Sequence, residues 1–337
     1  MTSPSRRIGP YHVSAIGLGC MNLSHGYGVM PLREEAARLL NRALDLGCSF
    51  LDTAALYGDG ENERLIRSAV MHRKAEFTLA SKCVLFSEGS ERKLDGHPQA
   101  IRRTVEASLD RLGTDAIDLC YLHRLDRRVP VEESIGALAR LHEEGKVRAV
   151  GVSEMSAASI RRAHAEFPLA AVQTEYSPWT RNAEVAVIDT CRELGIGFVA
   201  FSPVGRGFLA DAVHADDFAG GDIRAGMPRF TEPNLARNLR LLDEFKAVAR
   251  GVGCTPAQLS IAWVLARGEQ IVPIPGTRSI THMEENFGAL SARLGDDAMA
   301  AIDRIFAPGR VSGGRYPPAM QATIDTELLP EEQVLAK

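Results

Sequence analysis

Short apolar runs alternate with stretches of helical periodicity along almost the whole chain. The runs cover residues 15–19, 49–52, 77–82, 117–123, 147–152, 171–174, 197–201 and 271–274. They are rich in Val, Ile, Leu and Phe with little polar alternation, the pattern of parallel strands covered on both faces. Between them, residues 32–46 place Ala36, Leu39, Leu40, Ala43 and Leu44 on one helical face and stop at Gly47. Further helices are predicted over 62–70, 98–112 (opening on Pro98, closing at Gly113), 131–144, 156–165 (capped by Ser156), 183–194 and 255–267. The last opens Thr255-Pro256-Ala257-Gln258, with Thr as N-cap and Pro at the first helical position.

Eight strands and about eight helices in alternation predict an α/β fold, a single (β/α)8 TIM barrel with an N-terminal hairpin. A doubly wound sheet would carry a G-x-G-x-x-G turn after its first strand. Here Gly17-Leu18-Gly19 runs into Cys20-Met21-Asn22. The barrel is expected to form one domain over residues 1–337, its core at about 8–305 and a tail at about 306–337. Residues 203–233 form a long glycine-bearing loop after strand seven, and the tail begins PGRVSGGRYPP. Loops of this length are commonly functional, and both are expected over the active-site face.

Composition narrows the class. The chain has 337 residues, 45% of them hydrophobic, ample for one large core, and a net charge of −4, which supplies no basic field for nucleic acid. The six cysteines lie far apart, as expected of reduced core thiols. No sustained apolar segment marks a secretory leader or a membrane span, so a cytoplasmic protein acting on a small molecule is expected. Oligomeric state is not encoded in any pattern found.

The chemistry gathers at strand ends. Asp52 closes CSFLD, Lys82 closes FTLASK, His123 closes IDLCYLH, and Tyr57 follows Asp52 in the next loop. A barrel delivers all C-terminal strand ends to one rim, so these groups are expected to converge. A phenol ordinarily titrates near ~10; the Lys82 ammonium is expected to lower it, Asp52 to hold Lys82 charged, and His123 to orient a substrate oxygen. The set suits protonation of a carbonyl oxygen while its carbon accepts a hydride. Taken singly, each residue has a plain structural reading as turn, cap or rim residue.

LDTAALYG resembles the D-T-A-x-x-Y-G signature of the aldo-keto reductases, and the resemblance continues through TLASK, DLCYLH, GVSEMS, VQTEYSPWTR, FSPVGRGFL and PIPGTR. It covers about residues 8–305. It implies Asp52, Tyr57, Lys82 and His123 as the catalytic tetrad, with Tyr57 the proton donor, and a nicotinamide cofactor bound without a Rossmann fold.

Barrels often hold phosphate in the loops after strands seven and eight. Those loops contribute Ser202, Pro203, Val204, Gly205, Arg206 and Gly207, and then Gly276, Thr277 and Arg278. Glycine backbone, hydroxyls and guanidinium charge together suit an anion. The resemblance adds Phe201 as the nicotinamide-stacking residue, Gly19, Cys20 and Met21 beside the ribose, Ser153 and Gln173 at the carboxamide, and Glu285 and Asn286 at the adenine. Two departures stand out: Glu154 replaces the Asn common after Ser153, and Gly276-Thr277 with His282 replaces Lys-Ser and a later Arg. Arg278 offers a replacement charge for a 2′-phosphate, so NADPH/NADP+ is expected over NADH.

The substrate pocket is expected from Met21, Leu56, Tyr57, His123 and Trp179, with Arg315 and Tyr316 from the tail. The reading is an NADPH-dependent reductase or its reverse, an alcohol dehydrogenase. Its alternatives are a cofactor-binding regulatory subunit without significant turnover, and a Schiff-base enzyme using Lys82.

Overall fold

The computed structural model describes residues 4–88, 91–213, 218, 221–330 and 332. The strands are β1 (Ser5–Ile8), β2 (Tyr11–Ser14), β3 (Leu18–Gly19), β4 (Phe50–Asp52), β5 (Thr78–Cys83), β6 (Leu85–Glu88), β7 (Glu91–Leu94), β8 (Leu119–Leu122), β9 (Val150–Ser153), β10 (Leu169–Glu175), β11 (Gly197–Phe201) and β12 (Ile271–Ile274). The helices are α1 (Arg33–Asp45), α2 (Glu61–Val70), α3 (Pro98–Leu112), α4 (Val131–Glu143), α5 (Ala157–Glu166), α6 (Val187–Leu194), α7 (Asn234–Val252), α8 (Pro256–Ala266), α9 (Ile280–Gly288), α10 (Asp296–Ile305) and α11 (Pro318–Gln321).

Eight parallel strands pair in the order β12-β11-β10-β9-β8-β5-β4-β3. The ends meet where Gly17 and Gly19 N–H groups donate to the carbonyls of Pro273 (3.0 Å) and Pro275 (3.3 Å), closing the barrel. Closure explains the brevity of β3. A Cβ on Gly19 would lie 2.8 Å from the Ile274 carbonyl oxygen, and one on Gly17 2.8 Å from the Phe50 ring. Only glycine lets these backbones approach so closely.

Phe50, Ala80, Leu119, Tyr121, Val199 and Val272 fill the barrel interior, and the β1–β2 hairpin seals its lower end with Ile8 and Val13. A second, larger core lies between the strands and the surrounding helices. The caps match the sequence pattern: Thr255 accepts from Gln258 N–H at 3.2 Å, and Gly113 ends α3 at φ +67°.

One element was not expected, and the long loop and the tail lie where expected with added detail. A hairpin, β6–β7, follows β5 on the same rim. The long loop contains short 3-10 turns at Gly205–Ala210, Ile223–Gly226 and Pro228–Phe230; residues 214–217, 219 and 220 lie outside the described residues. The tail, up to its last described residues, lies along the C-terminal rim, where Ser156 N–H donates to Asp325 Oδ2 (2.9 Å) and Ala157 N–H to Glu327 Oε1 (2.7 Å). Both carboxylates sit at the positive N-terminal end of α5. The expected tail residues 331 and 333–337 lie outside the described residues.

A buried ion network fixes that tail. Arg315 donates to Glu154 Oε1 (2.7 Å) and Glu175 Oε2 (3.0 Å), while Arg206 donates to the same Glu175 oxygen at 2.5 Å. Thr326 Oγ1 donates to Glu154 Oε2, and Asp325 and Thr326 N–H groups donate to the Glu154 carbonyl. Burial opposes the Glu175 carboxylate, but Arg206 and Arg315 overcome it and hold the group at about 2.

The folded protein therefore prefers ionised Glu175, and that contribution is complete above the ordinary carboxyl value of 4.5. It is lost as pH falls from 4.5 toward 2. Arg315→Met, which leaves two buried carboxylates short of a partner, is expected to lower stability by roughly 3 kcal/mol at neutral pH in urea unfolding. No change in midpoint would contradict this account of the tail.

Candidate active site

The rim groups are placed by three barrel strands. Asp52 ends β4, Lys82 lies near the end of β5, and His123 immediately follows β8, in strands that are neighbours in the sheet. Tyr57 comes from the turn after β4. That turn is held by buried Asn62, which accepts from Thr53 Oγ1 (2.7 Å) and donates to the Cys20 carbonyl (2.8 Å) and Ser24 Oγ (2.7 Å). Gly58, at φ +58°, permits the turn to lie on Ser24, where a Cβ would come within 2.9 Å of the backbone.

Lys82 is almost fully buried, with its ammonium donating to Asp52 Oδ1, the Thr53 carbonyl (2.9 Å) and Tyr57 OH (3.3 Å). Burial disfavours its charge, but Asp52 and Tyr57 outweigh burial and raise its pKa. Asp52 experiences the opposite balance. Burial pushes its carboxyl up against the pull of Lys82 and Gln173. With three oxygens around the nitrogen, the charged ammonium and carboxylate are the pair this geometry supports. A permanently charged amine is no nucleophile, which argues against a Schiff base.

Tyr57 corrects one expectation. Lys82 does pull its pKa down, yet burial is the larger effect, and the net shift is upward from 10. The phenol therefore keeps its proton. Because Lys82 donates to the phenolic oxygen, the O–H hydrogen remains available to a substrate oxygen. His123 meets the Tyr57 ring edge-on at 5.8 Å. Burial, then the charges of Arg124 and Lys82, hold its imidazole well below 6.5, so it is neutral and offers an N–H.

Other expected residues divide. Met21, Leu56 and Tyr57 pack together with Ala54 and Leu85, forming an apolar wall beside the acid–base group. Trp179 does not join them. Its ring lies under the long loop, 3.8 Å from the Phe208 centroid and 5.4 Å from Phe230. Arg206 also departs: its guanidinium turns inward to Glu175 and over the Tyr316 ring (4.5 Å). Only its backbone, at φ +59°, belongs to the loop surface. Arg315 is likewise spent in the buried network, and Glu154 is held by it.

The remaining groups fit a nicotinamide dinucleotide. Gln173 Nε2 donates to Asp52 Oδ2 (2.7 Å), which leaves its oxygen as an acceptor, and Ser153 Oγ accepts from Arg124 (3.3 Å), which leaves its hydrogen as a donor. Phe201 is partly exposed at the end of β11. Ser202, Gly205 and Gly207 hold positive φ in the loop beyond it, with Pro203 and Val204 anchored beneath by Ser260 and Ile261. A Cβ on Gly276 would strike Asn22 Oδ1 at 2.7 Å and Gly19 O at 2.9 Å, so the first and last strands meet in a tight cradle beside Cys20. Thr277 and exposed Arg278 precede the N-terminus of α9, a favourable anion position. Arg278 donates to the carbonyls of Tyr27 (2.8 Å) and Val29 and has no carboxylate partner among the described residues. Glu285 and buried Asn286 follow on α9.

Three groups at the mouth were not anticipated as site residues: His25, stacked on Tyr57 at 6.1 Å, Arg92 on β7, and Arg124 after β8. Only Arg124 had a sequence signal, its position directly after His123.

The Aldo/keto reductase family model matches residues 15–307, and the chain belongs to this family. It is 42% identical to "Aldo-keto reductase yakc [NADP(+)]" of Schizosaccharomyces pombe, over 98% of this chain and 100% of that protein. It is 40% identical to "Probable aldo-keto reductase 1" of Glycine max, over 91% and 89% of the two chains. Among solved structures, a glycerol dehydrogenase from Gluconobacter oxydans superposes with a TM-score of 0.82 at 27% identity, covering 98% of this chain and 99% of its own. Among the described residues no helix is long and apolar enough to cross a membrane.

Neutral His123 gives a direct prediction. Its imidazole resonances are expected to titrate well below 6.5 in the folded protein. In the unfolded chain it protonates near 6.5, so this residue withdraws stability as pH falls below that value. A folded-state midpoint at or above 6.5 would contradict the burial account.

Proposed function

We propose that this protein is an NADPH-dependent carbonyl reductase, working reversibly as an alcohol dehydrogenase, with Tyr57 as general acid and base. The observation that carries the reading is the Lys82 ammonium donating to the Tyr57 oxygen while Asp52 and the Thr53 carbonyl hold it from behind. Bound NADPH supplies a hydride to the carbonyl carbon. In the reductive direction the carbonyl oxygen lies between Tyr57 and His123. The neutral imidazole donates to it and fixes its orientation, and the phenol passes its proton as negative charge develops there. The resulting phenolate lies beside Lys82, which needs no reorganisation to stabilise it. The apolar wall of Met21, Leu56 and Leu85 keeps water from competing for that proton.

Ser153 and Gln173 orient the carboxamide. The backbone of 202–207 and the Gly276-Thr277 segment hold the pyrophosphate, and Arg278 meets the 2′-phosphate. NADP(+) in the name of the S. pombe relative supports this choice of cofactor. The complete tetrad favours turnover over a purely regulatory role.

Two experiments test the assignment. Tyr57→Phe removes the proton but keeps the ring, so reduction of 4-nitrobenzaldehyde is expected to slow by about 10²- to 10⁴-fold while NADPH binding, read by fluorescence, persists. Equal turnover would remove Tyr57 from the mechanism. Arg278→Gln is expected to raise KM for NADPH on the order of tenfold and to alter KM for NADH little. Equal effects on both cofactors would contradict a 2′-phosphate contact.

A further inference from the structure

We propose that the carbonyl substrate carries an anionic group, a carboxylate or a phosphate, held by Arg92 and Arg124 at the mouth beside Tyr57 and His123. The inference rests on the reductase reading and names the substrate class for the same site.

Arg124 leaves β8 directly after His123. It donates to the His123 carbonyl at 2.6 Å and to Ser153 Oγ at 3.3 Å, and it is partly exposed. Arg92 is placed by the β6–β7 hairpin, where Leu85 pairs with Leu94 and Ser87 with Arg92. Side chains two apart on a strand share a face. Leu94 packs against the cluster of Leu56, Tyr57 and Leu85, so Arg92 lies on the hairpin face turned toward that cluster. Its charge bears on His25 and His123, and those of Arg92 and Arg124 bear on each other. Surrounding protein, then Arg124, holds the Arg92 guanidinium below its ordinary value, although the side chain keeps access to solvent.

Neither guanidinium has a carboxylate partner among the described residues, although both lie beside the buried Lys82–Tyr57–His123 group. Arg206, Arg229 and Arg315, all more buried, each meet a glutamate, as does partly exposed Arg111. At the mouth Asp52 is engaged by Lys82 and Gln173. Two like charges are thus crowded beside a third, Lys82, without compensation, an arrangement that an incoming anion would relieve. The cofactor's phosphates do not account for it. Their loops follow β11 and β12, whereas Arg92 and Arg124 follow β5 and β8, on other strands of the barrel. The apolar wall between would hold the carbon skeleton joining the anion to the carbonyl.

The test compares matched aldehydes reduced with NADPH: 4-carboxybenzaldehyde against its neutral methyl ester, methyl 4-formylbenzoate, and glyceraldehyde 3-phosphate against glyceraldehyde. In at least one pair the wild-type kcat/KM is expected to favour the anion by about tenfold or more, and the favoured pair distinguishes carboxylate from phosphate. Arg92→Gln and Arg124→Gln are each expected to reduce that ratio severalfold, and Arg92→Glu to invert it. Each ratio is taken on one preparation, so partial unfolding of a variant cancels. Ratios of one or less in both pairs, or a ratio unmoved by all three variants, would overturn the proposal while leaving the reductase reading intact. A wild-type protein inert toward all four aldehydes would overturn both.

Discussion

A lysine ammonium sealed inside the barrel mouth is the constraint on which the site depends. Lys82 is among the largest fully buried side chains, and a lone buried ammonium would lose its proton rather than bear the desolvation. Its charge survives because parallel pairing of β4 with β5 sets Asp52 opposite Ala80, two residues before Lys82. That register brings carboxylate and ammonium together at the strand ends. The Thr53 carbonyl and the Tyr57 oxygen complete the shell, and Asn62 fixes the turn that carries Tyr57. Strand register, turn geometry and proton chemistry are one arrangement.

The second buried network does a different task. Glu154 follows β9 and Glu175 ends its neighbour β10, Arg206 comes from the long loop, and Arg315 from the tail. The glutamate that departs from the usual Ser-Asn pair is therefore explained by the tail, whose arginine requires an acid there. Arg206 is held by Glu175, which Arg315 also meets, so the tail and the cofactor loop share an anchor. Its cost is a loss of stability in acid, because Glu175 must stay ionised for the anchor to hold.

The barrel and the tetrad were legible because each strand is an apolar run and each reactive residue ends one or follows it closely. The phenol's titration was not. Sequence shows that an ammonium is nearby but not how dry the site is, and burial outweighed the charge. Arg206 and Trp179 were misplaced for a related reason: Gly-Arg-Gly and Ser-Pro-Trp mark turns without saying whether the side chain faces in or out. The β6–β7 hairpin escaped because its four-residue strands carry charged positions and begin after Val84 at φ +77°, with no sustained apolar period. Arg92 was lost with it.

The central claim is that the buried Lys82 charge stabilises negative charge on the Tyr57 oxygen during proton transfer. Single-turnover oxidation of pre-bound NADPH by 4-nitrobenzaldehyde, compared between wild type and Lys82→Met, tests it most directly. The account predicts that the variant still binds NADPH, seen in the same stopped-flow trace, while the rate of hydride loss falls by about 10²-fold or more. A single-turnover rate within a few fold of wild type would contradict it.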